Sequence, residues 1–113
     1  MSLAGNLFAD LPHDRAQEQF SELLHTAAVR IERIVSHGQA SPPGFWYDQD
    51  WAEWVLVLRG SAVLLIEGEA SPCKLGPGDY LHIPPHRRHR VEATAAHEPT
   101  IWLAVHHVGT GAS

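Results

Sequence analysis

The sequence contains little of what marks secreted, membrane-spanning or nucleic-acid-binding proteins. Its single cysteine, Cys73, cannot form an internal disulfide. Eight Lys and Arg against 13 Asp and Glu give a formal charge of −5, which argues against binding along nucleic-acid phosphates. Apolar runs such as residues 62–66 are far shorter than the roughly 20 residues of a membrane helix. No charged and apolar leader opens the chain. We therefore expect a cytoplasmic protein that binds neither nucleic acid nor membrane.

The N-terminal part of the chain has the pattern of a short helix. The 113 residues suffice for one domain with a modest core. Asp14 and Gln17 fit a helix-capping box, and Phe20, Leu23 and Leu24 share one helical face. This spacing predicts a helix over residues 14–25, within a helical segment over 1–28 that packs on the rest of the domain.

From residue 29 onward the pattern becomes that of β-strands. Six short segments are rich in β-branched or aromatic residues and are bounded by Gly, Pro, Ser or Asp. They predict an all-β sandwich or barrel over 29–108, followed by a flexible tail over 109–113. The predicted strands are 29–36, 53–60, 61–68, 79–83, 89–93 and 100–107.

The strand over 53–60 is apolar on both faces, although a small isolated barrel should have one wet face. Something must therefore cover its outer face. The two choices are the N-terminal helix and a second copy of the chain, and we expect a homodimer because it is the commonest closed assembly.

Two stretches resemble the signature motifs of the cupin superfamily. The stretch Glu53-x6-Gly60 is similar to the end of HxH-x(3,4)-E-x6-G, and Gly78-x5-Pro84 followed by His89 is similar to G-x5-P-x-G-x2-H-x3-N. The resemblance covers about residues 29–107. It implies a small single-domain cupin: a double-stranded β-helix, or jelly-roll barrel, that holds a small ligand and commonly one divalent metal such as Fe, Mn, Ni or Zn.

The resemblance assigns the motif glutamate to Glu53 and the second-motif histidine to His89. The two first-motif histidines are replaced by Tyr47 and Gln49, or by positions 46 and 48 with the longer spacing. Strand parity favours the shorter spacing. The implied metal set is Gln49, Glu53 and His89, which binds a metal more weakly than a set with two more imidazoles because amide oxygen and phenol are poor ligands.

Other histidines are available to such a site. His82 lies on the strand before a turn formed by Pro84 and Pro85, while His106 and His107 point to opposite faces of the last strand. If His107 shares an inward face with Leu103 and Val105, it stands beside His89 and contributes to substrate binding. That choice depends on parity alone, and His82 and His106 remain open.

The same residues also permit chemistry without a metal. A carboxylate and an imidazole enclosed among apolar residues have displaced pKa values and are suited to moving a proton on a sugar-like or carbonyl substrate. Glu53 and His89 are then the catalytic pair. Trp46 and Tyr47 supply flat contact surface at the mouth, and Gln49 orients the substrate by hydrogen bonding. The structural alternative is that Glu53 is only a buried partner for Arg30 or Arg33.

These observations favour a small-molecule enzyme of unknown reaction. A non-catalytic ligand-binding or sensing cupin that has lost its metal is the alternative, and a purely structural dimer is the third. A barrel of this kind hosts many unrelated chemistries, so the fold alone does not name the reaction.

Overall fold

The computed structural model describes residues 3–108, and this part of the chain forms eight β-strands and no helix. No segment in that range is therefore a helix able to cross a membrane. The strands are β1 (Gln19–His25), β2 (Val29–Ser36), β3 (Ala52–Arg59), β4 (Ala62–Ile66), β5 (Cys73–Leu75), β6 (Tyr80–Ile83), β7 (His89–Thr94) and β8 (Thr100–His107).

The strands form two antiparallel sheets. The larger has the order β1-β2-β8-β3-β6, and the smaller has the order β5-β4-β7. The predicted all-β architecture is thus confirmed, and each of the six predicted strands is present. Two strands, β1 and β5, were not expected, and β5 escaped notice because a strand of three residues is too short to show a two-residue period.

The predicted helix over 14–25 is wrong, and β1 occupies most of that range. Asp14 accepts a hydrogen bond from the backbone N–H of Ala16 in a local turn, which satisfies the capping side chain without a helix. The register of β1 shifts between Glu22 and Leu24, so a bulge imitates helical spacing. The predicted segment over 1–28 therefore contributes a strand to the larger sheet. The predicted tail over 109–113 lies outside the described residues.

The core lies between the two sheets. Residues of one parity on β3 and β8 point inward and pack against β4, β5 and β6, since side chains alternate along each strand. The buried members are Val55, Val57, Ala62, Leu64, Leu75, Ile83, Trp102 and Ala104.

The motif glycine Gly60 is required where β3 turns toward β4. Its φ is +84°, and a Cβ placed there would lie 2.5 Å from Oγ1 of Thr100. That hydroxyl is fully buried and anchored, because it donates to the carbonyl of Ser61 and accepts from the backbone N–H groups of Ser61 and Ala95. Any larger residue at position 60 would displace this anchor.

The outward side chains of β3, β6 and β8 form an apolar surface, here called the outer face. Trp54, Leu56, Leu103 and Val105 are half-buried, and Tyr80 packs on Trp54 while remaining 65% exposed. Further along the sheet, the guanidinium of Arg33 donates to backbone carbonyls of residues 7, 9 and 10. The predicted N-terminal helix does not cover the outer face, since the described residues contain none.

Candidate functional site

The register of the larger sheet places one residue of each strand in a single row. In strand order the pairs are His25 with Arg30, Arg30 with His106, His106 with Glu53, and Glu53 with Ile83. Glu53 shares its parity with the core residues of β3, so the row lies on the inward face. Four side chains with acid–base or charged groups therefore stand side by side at one end of the barrel.

Glu53 and His89 meet inside the barrel from opposite sheets. Their exposures are only 8% and 4%, and Nε2 of His89 lies 3.5 Å from Oε1 of Glu53. Nδ1 of His89 donates to the carbonyl oxygen of Arg87 at 3.0 Å, which fixes the ring orientation. The structure thus brings together the two residues to which the sequence assigned the chemistry.

His106 lies on the other side of Glu53. Its Nε2 is 3.0 Å from Oε1 of Glu32 and 3.8 Å from Oε2 of Glu53, and its exposure is 4%. Glu32 comes from β2 and borders the same cavity as Glu53 and His106. The buried centre therefore contains two carboxylates and two imidazoles: Glu32, Glu53, His89 and His106.

The inward orientation predicted for His107 is wrong. Its ring lies on the outer face and stacks on His82, with the two Nε2 atoms 3.3 Å apart. The parity argument placed Leu103 and Val105 inward, but these residues also point outward, and His106 takes the inward position by pairing with Glu53. Neither His82 nor His107 reaches the buried centre.

Tyr47 is held against His89 by backbone and ring contacts. The two residues form an antiparallel bridge with both N–H···O bonds, at 2.7 and 3.1 Å, and their rings stack with centroids 5.3 Å apart. Phe45 packs edge-on against Tyr47. Of the two aromatic residues predicted at the mouth, Tyr47 therefore lies beside His89, and its aromatic neighbour is Phe45.

Trp46, which was predicted to line the mouth, lies elsewhere. The guanidinium of Arg88 sits over its ring at 5.4 Å, and Trp46 does not border the cavities around Glu53. Gln49 does border the mouth, where its backbone carbonyl also accepts from the N–H of His86. Trp51, not singled out from the sequence, lies beside Gln49.

Two adjoining cavities meet at Glu53. The outer one has a volume of about 270 Å³ and is bordered by Arg30, Glu32 and His106. The inner one, about 60 Å³, reaches His89 and the apolar core. The walls shared by both are Phe20, Ile34, Tyr47 and Glu53. This space is suited to a small molecule whose reactive end lies against the carboxylate of Glu53.

The surroundings of the buried groups shift the pKa values of His89, Glu32 and Tyr47 in different directions. Burial lowers the pKa of His89, but the hydrogen bond to Glu53, the carbonyl of Arg87 and the charge of Glu53 together raise it above 6.5. The hydrogen bond with His106 lowers the pKa of Glu32 against the opposing effect of burial. Burial raises the pKa of Tyr47 above 10.0, so its phenol stays protonated at neutral pH.

The cations proposed as structural partners of Glu53 do not pair with it. Arg33 is engaged by N-terminal carbonyl groups, and Arg30 forms no ion pair with Glu53. The ionic partners that Glu53 has among residues 3–108 are the two imidazoles, His89 and His106. A carboxylate between two imidazoles is an arrangement for moving protons, and its partners are themselves titratable.

The residues present do not fit a divalent metal in the arrangement that the family motif implies. The positions of the two first-motif histidines are Tyr47 and Gln49, which are poor ligands. The two imidazole nitrogens face different oxygens of Glu53, and among residues 3–108 no three His, Cys, Asp or Glu side chains surround one point. The metal set implied by the resemblance, Gln49, Glu53 and His89, gains no support from this geometry.

Sequence reasoning missed Glu32 as a site residue and left His106 undecided. Glu32 and Arg30 alternate with Ile31 and Arg33 on β2, so both faces of the strand carry charge and parity alone does not identify the inward one. The pairing of β2 with β8 supplies the missing information. A signal was nevertheless present, since glutamate in a strand of a small barrel requires a partner.

Comparisons with known proteins agree with this architecture. The profile of the Cupin domain family matches residues 32–106. A provisionally named mannose-6-phosphate isomerase from Ralstonia eutropha JMP134 is 55% identical, with a TM-score of 0.89 over 92% of this chain and 96% of that chain. A search of curated proteins finds no significant match.

Two more distant structures share the fold. A cupin superfamily protein from Desulfitobacterium hafniense DCB-2 is 18% identical, with a TM-score of 0.71 over 87% of this chain and 84% of that chain. An RmlC-like cupin family protein from Methanocaldococcus jannaschii is 16% identical, with a TM-score of 0.67 over 88% of each chain. Together with the eight-stranded double sheet and the family profile, these matches show that the chain belongs to the cupin family.

Proposed function

We propose that the protein is an enzyme that moves a proton on a small hydroxy-carbonyl substrate, with Glu53 and His89 as the acid–base pair. The observation that carries the proposal is the buried contact between Oε1 of Glu53 and Nε2 of His89, at 3.5 Å on the wall of a cavity. The resemblance to a provisionally named sugar-phosphate isomerase supports the same class of substrate.

The proposed reaction begins with Glu53 as a carboxylate and His89 as an imidazolium. Glu53 takes the proton from the carbon next to the substrate carbonyl, and the electrons of that C–H bond form a C=C bond. The carbonyl oxygen takes the Nε2 proton of His89, which gives an enediol. General acid–base assistance of this kind typically contributes about 10²- to 10⁴-fold in rate.

The second half of the reaction restores both groups. Protonated Glu53 returns its proton to the former carbonyl carbon, while neutral His89 takes the proton of the second hydroxyl group. The carbonyl has then moved by one carbon, and no oxidant or reductant is consumed. The 3.0 Å contact between Glu32 and His106 positions His106 beside Glu53. Tyr47 holds His89 in place by ring stacking.

Solvent deuterium exchange tests this proposal without requiring the natural substrate. Glycolaldehyde, dihydroxyacetone and mannose 6-phosphate are incubated with the protein in D2O, and the C–H signals are followed by NMR. The native protein should exchange at least one of them, before and after dialysis against a chelator. Glu53→Gln and His89→Gln should slow exchange by about 100-fold or more while remaining folded.

Glu98→Gln is the matched control, because Glu98 pairs with Arg59 at the surface. Unchanged exchange in folded Glu53→Gln protein would refute the assignment of the base. Retention of a small ligand without exchange of any probe would instead support the non-catalytic binding or sensing alternative. Elemental analysis in parallel should find no stoichiometric metal that is lost in Glu53→Gln.

A further inference from the structure

Arg30 stands at the cavity mouth without a hydrogen-bonding partner. It is half-buried, its Nε is shielded from solvent with no acceptor, and its guanidinium makes no hydrogen bond or ion pair with any residue in 3–108. A half-buried guanidinium whose Nε is shielded without an acceptor is costly, since the group has five donors and cannot lose its charge. A retained charge of this kind indicates an acceptor that the chain itself does not provide.

Arg33 also has a shielded Nε without an acceptor, but its two terminal nitrogens are bound by backbone carbonyls, whereas those of Arg30 are not. Each of the remaining described arginines, apart from the exposed Arg15, donates to a carboxylate or a backbone carbonyl. The engaged arginines are Arg33, Arg59, Arg87, Arg88 and Arg90. Among the half-buried arginines of residues 3–108, Arg30 is thus the one whose guanidinium donates to no group of the chain.

The surroundings of Arg30 are suited to a small anion. Arg30 borders a third cavity, of about 250 Å³, together with His25, Gln49, Trp51 and His106. An imidazole therefore flanks Arg30 on each side. The register explains this, because His25 and His106 are its direct neighbours on β1 and β8. The carboxylate near Arg30 is Glu32: the charge of Arg30 contributes to lowering its pKa, but its Oε1 is bound by His106 and it makes no hydrogen bond or ion pair with Arg30.

We propose that Arg30 binds the anionic group, a phosphate or a carboxylate, of the substrate whose carbonyl end reaches Glu53. This inference rests on the proposed function for the identity of the reacting end. His106 separates Arg30 from Glu53 in the row, so the two backbones lie about 10 Å apart. Because the two residues are separated by one strand, we expect a ligand that contacts both to have several carbon atoms between its anionic group and its carbonyl, as in a sugar phosphate or a sugar acid.

Anion titration tests the subsite directly. Inorganic phosphate and malonate are added at constant ionic strength while the imidazole signals of His25 and His106 are recorded by NMR. Saturable shifts are expected in the native protein. Arg30→Gln should weaken binding by about tenfold or more, and Arg30→Lys should restore part of it because it keeps the charge but not the planar fork.

Arg15→Gln is the matched control, because Arg15 lines a separate pocket with His37 and Glu98. Tighter binding of phosphate assigns a phosphate ester, and tighter binding of malonate assigns a carboxylic acid. The proposal is overturned if neither anion saturates the native protein, or if folded Arg30→Gln binds both anions as the native protein does.

Anion binding at Arg30 can be tested separately from the proposed roles of Glu53 and His89 in proton transfer. Glu53→Gln should still bind the anion, because its substitution removes a negative charge and leaves Arg30 in place. If proton exchange fails while anion binding persists, only the proposed function is lost. If exchange of glycolaldehyde proceeds but Arg30→Gln leaves KM for mannose 6-phosphate unchanged, only the anion subsite is lost.

Discussion

His89 faces Glu53 with Nε2, because its other ring nitrogen, Nδ1, is bound by a backbone carbonyl of the preceding turn. Nδ1 is 3.0 Å from the carbonyl oxygen of Arg87, and Nε2 is 3.5 Å from Oε1 of Glu53. Both neighbours are acceptors, so only the doubly protonated ring satisfies them at once. The turn at Pro84 and Pro85 and the start of β7 thereby hold the ring of His89 against the side chain of Glu53 in the interior.

The pKa of His89 should fall when Glu53 is replaced by Gln. In the native protein burial lowers this pKa, but Glu53 and the Arg87 carbonyl raise it above 6.5. Glu53→Gln removes the negative charge and leaves burial in place. NMR titration of the imidazole signals measures the midpoint, with Glu98→Gln as the control. An unchanged midpoint in Glu53→Gln would contradict the pairing.

The same pKa shift makes stability depend on pH. Because the folded pKa of His89 lies above its unfolded value, the protonated ring adds to the free energy of unfolding below about 6.5. That contribution is lost as the pH rises through the folded pKa. Urea unfolding of the native protein and His89→Gln should therefore show a difference that shrinks on the alkaline side. A difference that grows there would have the wrong sign.

Substitutions at the two adjacent histidines of β8 should have unequal effects. His106→Gln weakens the contacts of Glu32 and Glu53 inside the barrel, so we expect a loss of about 2 kcal/mol in the free energy of unfolding. His107→Gln alters an exposed contact with His82 and should cost at most about 0.5 kcal/mol. Chemical denaturation compares them. Equal losses would contradict the inward position of His106.

Position 86 should prefer glycine to a β-branched residue. His86 occupies the second-motif glycine position and has a φ of 61°, a conformation that costs a non-glycine residue roughly 1–2 kcal/mol. His86→Gly should therefore be tolerated, although contacts to Asp48 and Asp50 are lost, while His86→Val should be clearly destabilising. At His82, in the extended strand β6, the ranking should reverse. Thermal unfolding of the Gly and Val variants at positions 86 and 82 measures both rankings, and the same order at the two positions would contradict the prediction.

We propose that a second copy of the chain covers the outer face. Trp54 and Tyr80 lie on it, and this apolar surface remains partly open in a single chain. Light scattering at micromolar concentration should give twice the mass of one chain. Trp54→Glu should shift the protein to a monomer, while Trp46→Glu, at a ring that packs under Arg88, should not. A monomeric native protein would refute this proposal.

The sequence predicts the strands well where the pattern is local. Alternation and turn residues identify β2, β3 and β8 because these features act over a few neighbouring positions. The first strand was assigned wrongly because its apolar residues remain about half exposed and its bulge produces a helical spacing. Its conformation is determined by pairing with β2, which a local pattern does not contain.

The centre was predictable only in part for a similar reason. Glu53 and His89 occupy motif positions, so the resemblance to cupins identifies them. His106 and Glu32 follow instead from the register between β2, β8 and β3, which depends on contacts distant in sequence. Because β8 is apolar on both faces, its hydrophobic pattern does not indicate which of His106 and His107 points inward.

The buried hydroxyl of Thr100 has an effect at the far end of its strand. Because it ties the start of β8 to Ser61 and Ala95, it contributes to the register in which His106 lies opposite Glu53. A slip by a single position would send His106 to the surface and bring a neighbour into its place. One threonine at the opposite end of the barrel thus contributes to the alignment of His106 with Glu53.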